Sequence, residues 1–174
     1  EAEALQNEHG LDFPPLYAEM SLLRHLSLVH TLYERDSTGL EDRVVPLLKD
    51  FDLLAISELP LGTFSRGQLY KASLSILAAV DPELWLLDEP FASGMDAQGI
   101  SVFKRLIREA ARRGRTILYS TQLLDLAERL SDRVMVIDRG RLHAFDRGEA
   151  LKQDGAGSAG ILEDLFRRLR EDSP

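Results

Sequence analysis

The 174-residue chain contains no cysteine, which excludes a disulfide scaffold and a zinc site built on thiolates. It also has no run of about 20 apolar residues, the length that a membrane-spanning helix requires. Basic residues are outnumbered by acidic ones, since the chain has 21 Lys and Arg and 29 Asp and Glu, and the formal net charge is −8. This deficit argues against non-specific binding of nucleic acid. The chain does have 44% hydrophobic residues, enough for the core of one domain.

Apolar residues recur at helical spacing in some segments and form short continuous runs in others. The pattern predicts helices over 21–33, 40–51, 65–80, 96–113 and 123–130, and strands over 84–87, 116–120, 133–138 and 141–145. We expect a loop over 53–64, a hairpin turn at Arg139-Gly140, a flexible linker over 154–160 and a short tail helix over 161–170. Strands that alternate with helices indicate an α/β fold with parallel pairing.

Residues 84–90 read Leu-Trp-Leu-Leu-Asp-Glu-Pro, four apolar residues followed by two acids and a proline. The apolar run predicts a strand buried on both faces, with Trp85 in the core. Asp88 and Glu89 then fall at the carboxyl end of that strand, where open α/β sheets bind ligands. Two carboxylates there indicate a hard metal ion and a water to be activated. The alternative is an acid cluster that only caps the next helix.

Ser65-Arg66-Gly67-Gln68 begins the third predicted helix. A serine followed three residues later by a glutamine is the pattern of a capping box, so these residues fit a plain helix start. They also fit a phosphate site, because exposed N–H groups at a helix N-terminus attract anions and Gly67 has no side chain to block them. Ser21 and Asp96 similarly suit helix N-caps, a role that at Asp96 does not exclude a ligand contact.

Taken in order, these segments resemble the ATP-binding cassette (ABC) family, the ATPase domains of ABC transporters. Residues 64–68 match the signature motif, with Arg66 where a glycine is common, and residues 84–89 match the Walker B strand. Residues 93–96 match the D-loop, and 120–122 lie where the family carries its switch histidine. The resemblance covers roughly residues 15–145. It implies a P-loop NTPase-like, mostly parallel sheet flanked by helices, with the ABC helical subdomain and an incomplete core.

The resemblance also implies a role for each matching residue. Asp88 would hold Mg²⁺, and Glu89 would orient or deprotonate the water that attacks ATP. In this family two cassettes sandwich two nucleotides, and each cassette contributes its signature helix to the opposite ATP. Asp96 would lie at that interface. The implied contacts to the partner's nucleotide at the signature motif are Ser65, Arg66, Gly67 and Gln68.

Three features depart from the family pattern. The P-loop pattern G-x-x-x-x-G-K-[ST], which holds the β- and γ-phosphates, is absent from these residues. Gln122 replaces the switch histidine, and glutamine can hydrogen-bond a phosphate but does not titrate near neutral pH. Gln6 is the one candidate for the Mg²⁺-sensing glutamine. The chain begins with Glu1, so we expect an ABC ATPase domain truncated at its amino end, which does not bind ATP tightly by itself and exposes an apolar face.

The resemblance implies ATP and Mg²⁺ as cofactors, and as partners a second ABC ATPase domain and a transmembrane permease. The chain would then lie in the cytoplasm against the inner face of the membrane. We expect a partial ABC domain over 1–150, with the helical and signature subdomain at about 15–80 and the Walker B part at about 81–150, followed by a linker and tail over 151–174. Two alternatives stay open: a catalytically degenerate cassette that regulates a partner, and a soluble ABC ATPase outside transport.

Overall fold

The computed structural model of the chain describes residues 16–33, 39–91 and 94–147. The chain divides into two compact units, residues 1–120 and residues 121–174. The predicted linker over 154–160, the predicted tail helix over 161–170 and the candidate Gln6 lie outside the described residues. None of the helices in the part that the structure describes has both the length and the apolarity needed to cross a bilayer.

The described part of the first unit contains four α-helices and two strands. Two short 3₁₀ turns, Leu54–Ile56 and Leu61–Thr63, occupy the segment that was predicted as a loop. The regular elements are α1 (Leu22–Leu32), α2 (Leu40–Asp50), α3 (Arg66–Val80), β1 (Leu84–Leu87), α4 (Ala97–Arg112) and β2 (Thr116–Tyr119). Each agrees with its predicted span to within a few residues, so the expected alternation of helix and strand is confirmed.

Three of these helices begin at a side-chain cap that the sequence predicts. Ser21 caps α1 by accepting the Arg24 N–H at 3.4 Å, and Ser65 caps α3. Asp96 caps α4 by accepting the Gly99 N–H on Oδ1 at 2.6 Å. A side-chain acceptor at this position satisfies an N–H group that the helix itself leaves without a partner, which fixes where each helix starts.

Helices α1 and α2 both pack against α3. The buried apolar side chains of α1, α2 and the segment that follows α2 are Leu22, Leu26, Val44, Leu48, Phe51, Leu53 and Leu61. Burying a Leu or Phe side chain contributes about 1.5–3 kcal/mol, so the packing of α1 and α2 against α3 is well stabilised. The packing matters for function because α3 begins with the signature segment.

Strands β1 and β2 pair in parallel, with Leu84 opposite Thr116 and Leu87 opposite Tyr119. The prediction that β1 is buried on both faces is wrong. Trp85 is fully buried, as expected, but Leu84 and Leu86 are 50% and 67% exposed. In the described residues helix α4 covers the sheet on one side, and the other side has no covering layer. The same open face includes Leu118 of β2, which is 52% exposed.

The described part of the second unit holds α5 (Leu124–Leu130), β3 (Arg133–Asp138) and β4 (Arg141–Arg147). Strands β3 and β4 form the predicted antiparallel hairpin. Its turn residues Arg139 and Gly140 both have positive φ, at 47° and 75°, as a two-residue hairpin turn matching the twist of its strands requires. Val134 and Val136 pack against Ala127 of α5 and form the small core of this unit.

Candidate active site

The two predicted acids, Asp88 and Glu89, follow β1 directly and lie beside the end of β2. The Ser120 N–H donates to the Leu87 carbonyl at 3.0 Å, which continues the parallel ladder one residue past β2. The Ser120 hydroxyl donates to Asp88 Oδ1 and accepts the Glu89 N–H at 2.9 Å. The structure therefore places the acid pair at the carboxyl end of the parallel strands, where α/β folds bind ligands.

The backbone of Glu89 has a φ of 40°, in the left-handed region that a glutamate rarely adopts. The next residues fix this conformation. Pro90 is fully buried, and the Phe91 ring packs against Phe103 at 5.3 Å and edge-on against Tyr119 at 5.6 Å. Such conformations persist only where the surroundings impose them, and they are common at functional sites. The acid pair thus projects from a rigid frame.

The amino end of α3 carries the signature segment. Ser65 Oγ accepts the Gln68 N–H at 3.3 Å, and Gln68 Oε1 accepts the Ser65 N–H at 2.8 Å. These two bonds form the predicted capping box. Ser65 and Arg66 are exposed, so this helix end is open to solvent and presents its N–H dipoles outward.

Gly67 has a structural role that the sequence did not reveal. A Cβ atom at this position would lie 2.7 Å from the carbonyl oxygen of Gly94, closer than real Cβ contacts come. The first turn of α3 therefore touches the backbone of the D-loop segment. This close approach requires glycine at position 67 whether or not a phosphate binds there. The structural role and the predicted phosphate role of Gly67 are compatible.

Lys71 links the signature helix to the predicted interface residue Asp96. Lys71 is 6% exposed, yet its Nζ donates to Asp96 Oδ2 at 2.8 Å. Its stem lies across Gly99, where a Cβ would come within 2.6 Å of Lys71 Cε. The hydrogen bond from Lys71 and a second one from the Gly99 N–H hold the pKa of Asp96 below its usual value. Sequence reasoning missed Lys71, because the pairing joins residues 25 positions apart.

Tyr70, the residue before Lys71, brings α3 close to the acid pair. Its side chain is buried, and burial together with the negative charge of Asp88 raises the pKa of the phenol to about 12. Asp88 is thus near enough to act on a residue of the signature helix. The structure brings the signature end of α3 against the D-loop segment at Gly94 and joins the same helix to the cap of α4 through Lys71 and Asp96.

The other predicted residues fall in the second unit or outside the described residues. Gln122 belongs to the second unit, where it is exposed just before α5 and follows Thr121, whose Oγ1 accepts the Leu123 N–H at 3.1 Å. Ser93 of the D-loop match, like Gln6, lies outside the described residues. The roles predicted for all of these side chains stay predictions.

A magnesium ion suits the residues that are present. Mg²⁺ in proteins is usually held by one or two carboxylates, waters and substrate phosphates rather than by a cage of side chains. Asp88 offers an exposed carboxylate whose orientation is set by the Ser120 hydroxyl. Within 16–33, 39–91 and 94–147 no group of three or more His, Cys, Asp or Glu residues is placed to hold a metal by itself. The donor set fits an ion shared with a nucleotide.

Comparison with known proteins identifies close relatives. The chain is 34% identical over 166 residues to the uncharacterized ABC transporter ATP-binding protein YthP of Bacillus subtilis, covering 92% of this chain and 68% of YthP. It is 30% identical over 159 residues to the ABC-type transporter ATP-binding protein EcsA of the same organism, covering 91% of this chain and 64% of EcsA. No protein-family model matches the chain.

A solved structure of the ATP binding subunit of an ABC transporter matches with a TM-score of 0.84 at 30% identity, covering 92% of this chain and 66% of that one. CbiO1 from Clostridium perfringens, at 20% identity and a TM-score of 0.60, supports the fold alone. The chain spans about two thirds of the length of these relatives. Its sequence and its fold together show that the chain belongs to the family of ABC transporter ATP-binding proteins.

Proposed function

We propose that the chain is the signature and Walker B part of an ATPase that couples ATP hydrolysis to transport through a membrane permease. The observation that carries this proposal is the contact of the signature helix α3 with the D-loop segment at Gly94 and with Asp96 through Lys71, in the same unit as the Asp88–Glu89 pair at the end of β1. ATP and Mg²⁺ are the proposed cofactors, because the acids suit a metal–nucleotide complex and the open helix end suits a phosphate. The relatives' names, ABC transporter ATP-binding proteins, support the transport role.

Each side chain has a proposed task. Asp88 holds Mg²⁺, and Glu89 orients or deprotonates the attacking water. When bound, the metal would neutralise charge that develops on the transferred phosphoryl group. Gln122 contacts the γ-phosphate in place of a histidine and provides no titrating group.

The signature end faces away from the chain's own acids in this proposal, toward a nucleotide held by a second ABC ATPase domain. Its exposure supports this, because Ser65 and Arg66 are open to solvent although they stand at the start of a well-packed helix. Asp96 lies at the same interface. A permease partner would place the complex at the inner face of the cell membrane.

The P-loop is the missing part of this site, since the 174 residues contain no G-x-x-x-x-G-K-[ST] pattern. The proposal therefore requires a phosphate cradle from outside these residues. It predicts that calorimetry of the 174-residue chain with MgATP shows no binding at micromolar concentration. Clear binding would mean that these residues hold phosphates in a way that the proposal does not include.

The magnesium role can be tested on the complete product of the reading frame. Asp88→Asn removes the carboxylate charge, so we expect ATP hydrolysis to need a higher Mg²⁺ concentration and to fall at least tenfold at a fixed, low one. Asp52→Asn is the matched control, because Asp52 is exposed in the same unit, and its φ of 57° is one that asparagine tolerates. Equal Mg²⁺ dependence in both variants would contradict the assignment of Asp88.

A further inference from the structure

The Ser120 side chain connects the two acids through a single oxygen atom. Its hydroxyl donates to Asp88 Oδ1 and at the same time accepts the Glu89 N–H at 2.9 Å. Ser120 is itself fixed, because its own N–H donates to the Leu87 carbonyl at 3.0 Å. One hydroxyl therefore sets both the side chain of the first acid and the backbone of the second.

The Glu89 amide is in a position where this bond matters. Glu89 has a φ of 40°, a conformation that a non-glycine residue keeps only where its surroundings impose it. The Ser120 hydroxyl accepts the hydrogen bond of this amide. Without it, the backbone at Glu89 loses a restraint at the point where the chain turns away from β1.

We propose that Ser120 is a positioning residue for the catalytic pair: it holds the carboxylate of Asp88 and the backbone of Glu89 in one fixed relation. The proposal rests on the function proposed above, in which these residues hold Mg²⁺ and orient water. Both tasks depend on geometry, and a displacement of about 1 Å at a reacting group can reduce a rate about a hundredfold. The resemblance to the family predicted a role within residues 120–122 only at Gln122, which replaces the switch histidine.

A simpler role is that Ser120 only satisfies an exposed amide at the end of a strand. Ser120 and Asp88 are exposed, so a water can replace the hydroxyl in that case. The two roles differ in what removal of the hydroxyl does. If Ser120 only satisfies the amide, removing its hydroxyl leaves Asp88 and Glu89 in place. If Ser120 positions the pair, removing the hydroxyl frees both residues while the pairing of β1 and β2 stays intact.

The first experiment measures the geometry without nucleotide, on the 174-residue chain. NMR hydrogen exchange at the Glu89 amide should be about fivefold faster in Ser120→Ala and return to the original rate in Ser120→Thr, which keeps the hydroxyl. The carboxyl ¹³C signal of Asp88 should shift in Ser120→Ala and not in Ser120→Thr. The amide of residue 120, bonded to Leu87, reports that the strand pairing is unchanged. Unchanged Glu89 exchange and Asp88 shift in Ser120→Ala overturn the proposal.

The second experiment measures ATP hydrolysis by the complete product of the reading frame. We expect Ser120→Ala to lower kcat about tenfold with KM for ATP unchanged, and Ser120→Thr to restore kcat. Ser73→Ala is the matched control, because its hydroxyl donates to the Leu69 carbonyl within α3 and touches neither acid. An unchanged kcat in Ser120→Ala overturns the positioning role. If the exchange result holds while Glu89→Gln leaves hydrolysis unchanged, the proposed function fails and the Ser120 bridge stands.

Discussion

The ammonium group of Lys71 lies 2.8 Å from a carboxylate oxygen of Asp96, and the two partners differ sharply in burial. The Lys71 side chain is 8% exposed, whereas that of Asp96 is 62% exposed. The other oxygen of the same carboxylate caps α4 through the Gly99 N–H. The Asp96 carboxylate therefore contacts the signature helix α3 through Lys71 and the first turn of α4 through the Gly99 N–H.

This asymmetry predicts unequal costs for removing each partner. Asp96→Ala leaves a buried ammonium without its counter-ion and also removes a helix cap, so we expect it to lower the free energy of unfolding by about 3 kcal/mol or more. Lys71→Met keeps the apolar stem and leaves an exposed carboxylate that water can solvate, so its cost should stay under about 1.5 kcal/mol. Urea unfolding measures both. Equal losses in the free energy of unfolding would show that the burial of Lys71 does not determine the cost of breaking the ion pair.

Ser65 allows the structural and functional roles of the signature end to be separated. Ser65→Ala should lower the free energy of unfolding by about 1 kcal/mol through loss of the cap, and Ser65→Asp should retain most of the stability because aspartate is a good N-cap. A carboxylate there repels a phosphate, so Ser65→Asp should nevertheless abolish ATP hydrolysis in the complete product.

The matched control for this pair is the cap of α1. Ser21 accepts the Arg24 N–H in the same way but lies on a helix outside the proposed site. Ser21→Ala should cost similar stability, and Ser21→Asp should leave hydrolysis unchanged. Loss of activity in both aspartate variants would point to a general structural effect and against a phosphate at Ser65.

Asp96 also predicts how stability depends on pH in acid. Hydrogen bonds from Lys71 and then from the Gly99 N–H lower its pKa in the folded state, so the unfolded state takes up the proton first as the pH falls. The contribution to stability is complete above the unfolded pKa of about 4 and is lost as the pH falls through the folded value. Urea unfolding between pH 6 and 2.5 should show this loss, and Asp96→Asn should make the curve flatter. An identical slope in that variant would exclude Asp96 as the source.

His25 predicts a second effect nearer neutral pH. Its Nε2 accepts the Tyr17 N–H at 3.0 Å, which requires a neutral nitrogen there. Burial lowers the pKa of the imidazole, and the Ser21 backbone opposes this less strongly. The unfolded state therefore binds a proton first, and the free energy of unfolding should begin to fall as the pH drops below about 6.5, levelling off below the folded pKa.

The check for His25 is urea unfolding across pH 7.5 to 4.5. His25→Gln should remove the loss of stability in that window, whereas His143→Gln, at an exposed residue of the second unit, should retain it. A loss that persists in His25→Gln would have to come from another group.

Local sequence patterns predicted most of the secondary structure. The caps Ser21, Ser65 and Asp96 were predictable because each side chain acts on an N–H only three residues away. The hairpin was predictable because Gly140 accepts positive φ at the turn between two apolar runs. The open face of β1 was not, because Leu84 and Leu86 read as buried and only tertiary packing decides whether a second layer covers them.

In the candidate site, too, local motifs were predictable and contacts between distant residues were not. The sequence predicted Asp88, Glu89 and the signature cap from short motifs. It did not predict Lys71 or Ser120, because each acts on a residue at least 25 positions away. It also gave Gly67 a phosphate role without the close approach of the Gly94 carbonyl, which only the folded chain shows.

The measurement that tests the central claim most directly is ATP hydrolysis by the complete product of the reading frame with Glu89→Gln and Glu83→Gln compared. Both substitutions remove one negative charge, and Glu83 is an exposed residue at the opposite end of β1. We predict that Glu89→Gln reduces kcat at least a hundredfold while ATP still binds, because the water loses its base, and that Glu83→Gln changes nothing. Hydrolysis at the original rate in Glu89→Gln would contradict the account.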